Sequence, residues 1–478
     1  MNAKKILHFS VGPMGAAVLG LVTLPVVAWL FSPEDVGRLT MLQVTVSFSL
    51  LLFSLGLDQA YVREFHEVED KPALLKAVIL PGLVVLIVVL LAASFSPWSL
   101  SGLLFDIDSV WLTFFLLVSI LLSFCSRFLS LVLRMQERGL AFSMSQLLPK
   151  LLFLAIVLGY IWLGAEAIFD NLMIANVLSL VAVFVIYSWN TRNDWRPALT
   201  AHIDKSKQNQ MICYAVPLVG GGLAFWGLTA MDKIFLRSLS SFEELGIYSI
   251  AVSFAGAALV FQAIFSTVWV PVVYKWAAEG VDSKKIKDVM DHITLAVIVI
   301  WTLAGMFSWV VTYILPPEYE KVKIILLAAM AYPLLYTLSQ ASGVGIGIKR
   351  KTLYSMVAAV IALVVNAIGN WLFIPTYGAA GAAMTSAGAF FIFFVIRTEA
   401  SSILWNSFER WRMYGFVVMA LTGSLLVILL EPESVWVVGA SFILMVLVIC
   451  FFREQVAISG KFVGKELGRV WHKFMRAE

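Results

Sequence analysis

Fourteen apolar stretches separated by short polar connections run through almost the whole chain, and they leave few folds open to it. They cover residues 7–31, 40–57, 73–95, 110–133, 147–163, 168–189, 212–236, 245–273, 293–315, 324–346, 353–374, 379–396, 413–430 and 435–452. Each is long enough to cross about 30 Å of hydrocarbon as a helix. Inside a bilayer no water satisfies the backbone, so a spanning segment must pair its own N–H and C=O groups; stretches this long and evenly apolar are not barrel strands. The expected fold is an all-α integral membrane protein with about fourteen transmembrane helices. Composition agrees: 61% of the residues are hydrophobic and 13% are charged, whereas soluble domains carry about 25% charged residues.

The placement of charge gives the orientation. With the N-terminus inside the cell, 29 of the 34 Lys and Arg residues fall in inner segments or span ends, and only Arg38, Lys233, Arg237, Lys321 and Lys323 lie outside them. Basic residues collect on the cytoplasmic side of multispanning proteins, so the N and C termini are both expected in the cytoplasm. The first stretch lacks a small-residue cleavage site and reads as a retained helix, not a signal peptide.

Several functional classes are disfavoured. Cys125, Cys213 and Cys450 lie in or beside spans, and the five histidines are scattered with no metal-binding spacing. The glycine-rich pieces 220–222 and 343–349 lack the phosphate-loop pattern and read as packing or kink positions. The longest outer connection, 96–109, has fourteen residues and the longest inner one, 190–211, has twenty-two, too few for a soluble catalytic or nucleotide-binding domain. The expectation is a protein that is not an enzyme, with no cofactor, no metal and no nucleic-acid partner.

An internal duplication is also legible. Ser32-Pro33-Glu34-Asp35-Val36-Gly37 joins spans 1 and 2, and Ser241-Phe242-Glu243-Glu244-Leu245-Gly246 joins spans 7 and 8. Gly164-Ala165 before span 6 matches Gly378-Ala379 before span 12. The offsets, 209 and 214 residues, are close, and six spans separate the equivalents. Two repeats of the same orientation are related by an axis along the membrane normal. The expected domains are an N-lobe of six helices (1–200), a C-lobe of six (201–400), two added C-terminal helices (401–452) and a cytoplasmic amphipathic tail (453–478). In that tail Lys461, Lys465 and Arg469 beside Phe462, Leu467 and Trp471 read as a helix on the anionic inner leaflet.

Further stretches carry a resemblance. Residues 32–37, Ala215-Val216-Pro217-Leu218 followed by Asp232-Lys233, Leu245-Gly246-Ile247-Tyr248-Ser249, Val270-Pro271, and the run from Asn366 through Asn370, Pro375 and Gly378 to Ala383 are similar to polysaccharide-biosynthesis transporters. The chain resembles, end to end, the repeat-unit (O-antigen type) flippases of the multidrug/oligosaccharidyl-lipid/polysaccharide exporter superfamily. The resemblance implies a two-lobed transporter with a central cavity in the bacterial inner membrane. It would move undecaprenyl-pyrophosphate-linked oligosaccharide from the cytoplasmic to the outer face for O-antigen or exopolysaccharide synthesis. Its implied partners are that substrate, membrane lipids and other polysaccharide-assembly membrane proteins. Competing readings are a multidrug or cation antiporter or a cell-wall precursor flippase of the same superfamily, and, from another class, a membrane glycan polymerase or ligase.

Ionisable groups at depth are costly and therefore mark candidate sites. Arg127 in span 4, one heptad before Arg134, is the first candidate for a phosphate contact, because a guanidinium fork matches phosphate oxygens; snorkelling to headgroups is the alternative for both. Arg63, Lys150 beside Pro149, and Lys233 are further candidates for the substrate. Asp58 and Asp232 are candidates for ion coupling, with a wetted helix end and a structural ion pair as their alternatives. Asn366 and Asn370, four residues apart on one helix, either bind sugar hydroxyls or join helices. Pro13, Pro25, Pro217, Pro271 and Pro333 fall within apolar stretches and are expected to kink them. Arg127→Ala is expected to abolish glycan export while the protein stays in the membrane; wild-type export by that variant would remove Arg127 from the site.

Overall fold

Serine and aspartate at the edges of the apolar stretches start the helices, because their side chains accept backbone N–H groups that have no intrahelical partner. Ser32 caps Asp35 N at 3.2 Å with Pro33 in the first turn, and Asp70 caps Ala73 N at 2.9 Å. Ser109, Asp204 and Ser241 do the same for three later helices.

A computed structural model describes residues 3–280 and 283–458; of the expected tail 453–478, the residues from 459 onward lie outside them. The described residues contain helices and no strand. In chain order the helices are α1 (Ala3–Leu30), α2 (Pro33–Phe53), α3 (Leu57–Glu64), α4 (Lys71–Ser94), α5 (Leu100–Phe105), α6 (Val110–Met135), α7 (Gly139–Trp162), α8 (Phe169–Asn190), α9 (Arg192–Thr200), α10 (Lys205–Leu239) and α11 (Phe242–Ala255). They continue as α12 (Ala258–Glu279), α13 (Ser283–Met306), α14 (Val311–Ile314), α15 (Val322–Ala329), α16 (Ala331–Ser342), α17 (Val344–Ile348), α18 (Leu353–Leu404), α19 (Trp411–Leu430) and α20 (Ser434–Phe451).

Among the described residues twelve helical segments, one of them α15 and α16 together (Val322–Ser342), are long and apolar enough to cross a membrane, and the protein is a multi-pass membrane protein. Their outward faces stay apolar: Val84, Val85 and Val88 of α4 are exposed, as a lipid-facing surface requires. In α1 a shorter apolar segment, Val18–Leu30, stands apart from the twelve. The structure departs from the apolar pattern where it divides a stretch or fills a connection. The stretch 245–273 is divided at Gly256 into α11 and α12, 324–346 is divided into α15, α16 and α17, and the connection 190–211 contains α9. The 52 residues of α18 would span about 78 Å at 1.5 Å per residue, far more than a bilayer, and the helix breaks at Gly378 (φ 53°, ψ −128°), between the separate stretches 353–374 and 379–396.

The chain forms two compact units. The first comprises the residues up to Val260 together with Leu315–Tyr319 and Asn366–Ala382; the second comprises Phe261–Ile314, Glu320–Val365 and the residues from Ala383 onward. In the first unit α1 packs along α7, α2 along α11, and α6 and α7 against α8. In the second, α13 packs on α16, α19 and α20 around the fully buried Trp301, whose indole N–H donates to Leu327 O (3.0 Å) and Ser424 Oγ (3.1 Å). At the connection 190–211, Gln136 Nε2 donates to Asp194 Oδ1 (2.6 Å) and fastens α9 to the end of α6. Burial pushes the Asp194 carboxyl above its ordinary range, opposed by that hydrogen bond and by nearby Arg138.

The matched sequence segments have matching geometry. Ser241 caps Glu244 N at 3.2 Å just as Ser32 caps Asp35 N, and Gly164 and Gly378 both take positive φ (71° and 53°). Where α2 crosses α11 the contact is reciprocal. A Cβ on Gly37 would lie 2.1 Å from Phe242 O, and a Cβ on Gly246 would lie 2.0 Å from Pro33 O. Because the crowding atoms are backbone, Gly37→Ala and Gly246→Ala are each expected to destabilise the protein by about 1–3 kcal/mol, read as a lower melting temperature of the detergent-purified protein. An unchanged melting temperature would mean that the two helices separate freely.

Candidate functional site

Proline decides how the site is built. Pro149 inside α7 has no N–H for the carbonyl four residues earlier, that of Ser145. In hydrocarbon such an orphan needs another donor, and the buried Tyr187 hydroxyl of α8 donates to it. The next residue, Lys150, then lines a cavity of 630 Å³ within the first unit, and its Nζ donates to Ala16 O of α1 at 2.7 Å. Lys233 of α10 lines the same cavity.

Neutral polar groups complete the lining: Gln43 of α2, Gln146 of α7, Asn176 and Ser179 of α8, and Ser249 and Ser253 of α11. Asn176 Nδ2 donates to Ser119 Oγ at 3.4 Å, and Ser179 Oγ to Asn176 O at 2.7 Å. Among the described residues the lining contains two lysines and no carboxylate. With apolar walls lowering the local dielectric, the pair of ammonium groups makes the cavity attractive to an anion, and the amides and hydroxyls supply donors and acceptors for a hydroxylated ligand. The volume lies within the range of about 300–1,000 Å³ common to small-molecule sites. No group of three or more metal-ligating side chains occurs among the described residues.

The other residues singled out from the sequence fall elsewhere. Arg127 Nη2 lies 2.9 Å from Asp58 Oδ2, so the first phosphate candidate and an ion-coupling candidate neutralise one another. Asp58 is buried and also accepts from Gln59 N at 3.0 Å. Arg134 is exposed, with its guanidinium 5.9 Å from the Phe142 ring. Arg63 lies 4.4 Å over the Tyr214 ring and lines a different cavity.

Asp232, next to Lys233, is sealed from solvent at 1% exposure. Its Oδ1 accepts from Asn366 Nδ2 and Asn370 Nδ2, both at 2.8 Å, and its Oδ2 from the Tyr248 hydroxyl at 2.5 Å. Both asparagines are fully buried, and Asn370 Nδ2 also donates to Asn366 Oδ1 at 3.0 Å. The i,i+4 pair thus clamps a carboxylate across three helices and does not face the lysine cavity. Buried charge needs such donors, because an unsolvated carboxylate without them is costly.

Gln43, Gln146 and Tyr187 were not singled out from the sequence. For the glutamines a signal existed, since a lone amide within an apolar span is itself expensive. For Tyr187 there was none, because nothing in the sequence pairs it with Pro149.

The comparisons with known proteins agree with this architecture. The family model described as polysaccharide biosynthesis protein matches residues 3–276, more than half of the chain, and the chain belongs to that family. No curated protein matches the sequence. Among solved structures the fold is similar to lipid II flippase MurJ in an inward closed conformation, with TM-score 0.67 and 13% identity over 94% of this chain and 99% of that one. It is also similar to an inward-facing multidrug resistance MATE family transporter of the MOP superfamily, with TM-score 0.58 and 14% identity over 82% and 95% of the two chains. An outward-facing conformation of a transporter of that family matches with TM-score 0.52 and 15% identity, over 86% and 96%.

Tyr187→Phe removes the donor that satisfies the Ser145 carbonyl. It is expected to cost about 1–3 kcal/mol, the penalty of a buried unpaired polar group, measured by thermal unfolding of the purified protein. A melting temperature equal to wild type would mean that Pro149 needs no such partner.

Proposed function

We propose that this protein is a flippase for polyprenyl-pyrophosphate-linked oligosaccharide repeat units. It moves them from the cytoplasmic to the outer face of the bacterial inner membrane for O-antigen or exopolysaccharide synthesis. The observation that carries the reading is the 630 Å³ cavity inside a membrane-embedded unit, lined by Lys150 and Lys233 with no carboxylate. A pyrophosphate cannot enter hydrocarbon unaided, and two ammonium groups in a polar enclosure lower the cost of carrying it. Membership of a polysaccharide biosynthesis family supplies the glycan context.

On this reading the chain spans the membrane fourteen times, as two six-helix repeats with two added helices and both termini inside, in accord with the 29 basic residues assigned to inner segments. The protein performs no chemistry on the glycan. Ion coupling is assigned to neither carboxylate singled out for it, because Asp58 is compensated by Arg127 at 2.9 Å and Asp232 by Asn366, Asn370 and Tyr248.

A multidrug or cation antiporter of similar fold is the second reading, and a cavity without carboxylates disfavours it. A cell-wall precursor flippase shares the phosphate chemistry, and the glycan that accumulates separates the two. A polymerase or ligase would need acceptor chemistry on the outer face, for which the connection 96–109 is short.

Deletion of the gene is expected to leave lipid-linked repeat units on the inner face of the membrane. A Lys150→Gln/Lys233→Gln variant, membrane-inserted at normal level, is expected to reproduce that accumulation with at least a tenfold loss of export, roughly the effect of removing one charge-assisted contact. Normal export by the double variant would remove the lysine cavity from the path, and no accumulation on deletion would end the flippase reading.

A further inference from the structure

The connection between α8 and α10 folds back on α3 and α4 and encloses a second cavity of the first unit, of 340 Å³. Its wall is anchored by the same proline logic that builds the lysine cavity. Pro81 inside α4 leaves the Ala77 carbonyl without its helical donor, and Gln208 Nε2 from α10 donates to it at 2.9 Å. Lys76 of α4 reaches the other way, with Nζ donating to Leu199 O and Ala201 O, each at 2.9 Å.

Several of the side chains that line it have partners. Asp70 Oδ1 accepts from Ala73 N, and Asp204 Oδ1 from Ser206 N and Lys207 N, so each carboxylate is tied to a helix start. The Arg63 guanidinium lies 4.4 Å over the Tyr214 ring and 3.6 Å from Glu64. The lining therefore carries three carboxylates (Glu64, Asp70 and Asp204) against two cations, Arg63 and Lys207, with the imidazole of His202 beside them. That balance is opposite to the lysine cavity and does not favour a phosphate. It suits a neutral, hydroxyl-rich ligand: carboxylates accept from O–H groups, the guanidinium and ammonium donate to sugar oxygens, and an aromatic ring offers an apolar face.

We infer that this cavity binds the neutral sugar portion of the substrate, as a specificity site separate from the cavity that takes the phosphates. The inference rests on the flippase reading for the source of the glycan, not for the binding itself.

The test uses the full-length protein in nanodiscs and saturation-transfer NMR. The probe is the lipid-free, phosphate-free repeat-unit oligosaccharide released from the host's own polysaccharide, with a dextran oligosaccharide as control. Transfer to the repeat unit is expected with wild type and with Lys150→Gln/Lys233→Gln. It should fall at least tenfold in Tyr214→Ala and in Asp204→Asn, the latter keeping the helix cap because asparagine caps as well as aspartate. Excess inorganic pyrophosphate should not displace the probe. No transfer in wild type, transfer unchanged in both cavity variants, equal transfer to dextran, or displacement by pyrophosphate would each overturn the inference. Because the probe has neither lipid nor phosphate, the result is independent of transport. Accumulation on deletion without sugar binding leaves the flippase reading standing and this inference refuted, while binding without accumulation refutes the flippase reading.

Discussion

Every backbone carbonyl inside a bilayer needs a donor, and the rest of this structure depends on how that demand is met. Regular helix meets it automatically. The informative positions are those where helix fails. Pro149 frees the Ser145 carbonyl and Tyr187 takes it; Pro81 frees the Ala77 carbonyl and Gln208 takes it. In each case the replacement donor comes from another helix, so a local defect becomes a tertiary bond. Both cavities of the first unit border such a defect, because a residue next to an imperfect helical turn can be aimed where a regular turn would not aim it.

Charge is handled by segregation. One group of ionised residues is compensated where it is buried: Asp58 by Arg127, and Asp232 by two asparagines and a tyrosine. Another, Lys150 and Lys233, lines a cavity whose walls carry no carboxylate. Adjacent residues take opposite parts, for Asp232 is clamped into the protein while Lys233 lines the open space. Successive residues on a helix point about 100° apart, so a two-residue motif serves packing on one side and the cavity on the other.

Close approach of backbones does comparable work in the two segments matched in sequence. Gly37 and Gly246 let the starts of α2 and α11 meet carbonyl to Cα, and Gly378 permits a positive φ at the break in α18. There Glu244 Oε2 accepts from Ala379 N at 2.8 Å, so the acidic residue following the second serine cap also secures the break. A side chain at any of these three glycines would meet backbone or a bound carboxylate, whereas Gly164, the sequence match of Gly378, has open space at its Cβ position and shares with it only the positive φ.

The apolar stretches determined the helical class and membrane placement by themselves, because hydrocarbon leaves no other way to satisfy a backbone, and the flanking Ser, Asp and Pro residues marked where helices begin. Both lysines of the cavity were also visible as charges within or at the ends of spans. Their meeting in one cavity was not, since residues 83 positions apart are joined by helix packing that no local pattern encodes. Tertiary structure likewise decided which charges are spent on one another. Arg127 and Asp58 stood out separately in the sequence as costly groups, and only the packing of α3 against α6 brings them within 2.9 Å. The cost of burying a charge can be read from a sequence, but its compensation depends on a partner whose distance is set by the fold.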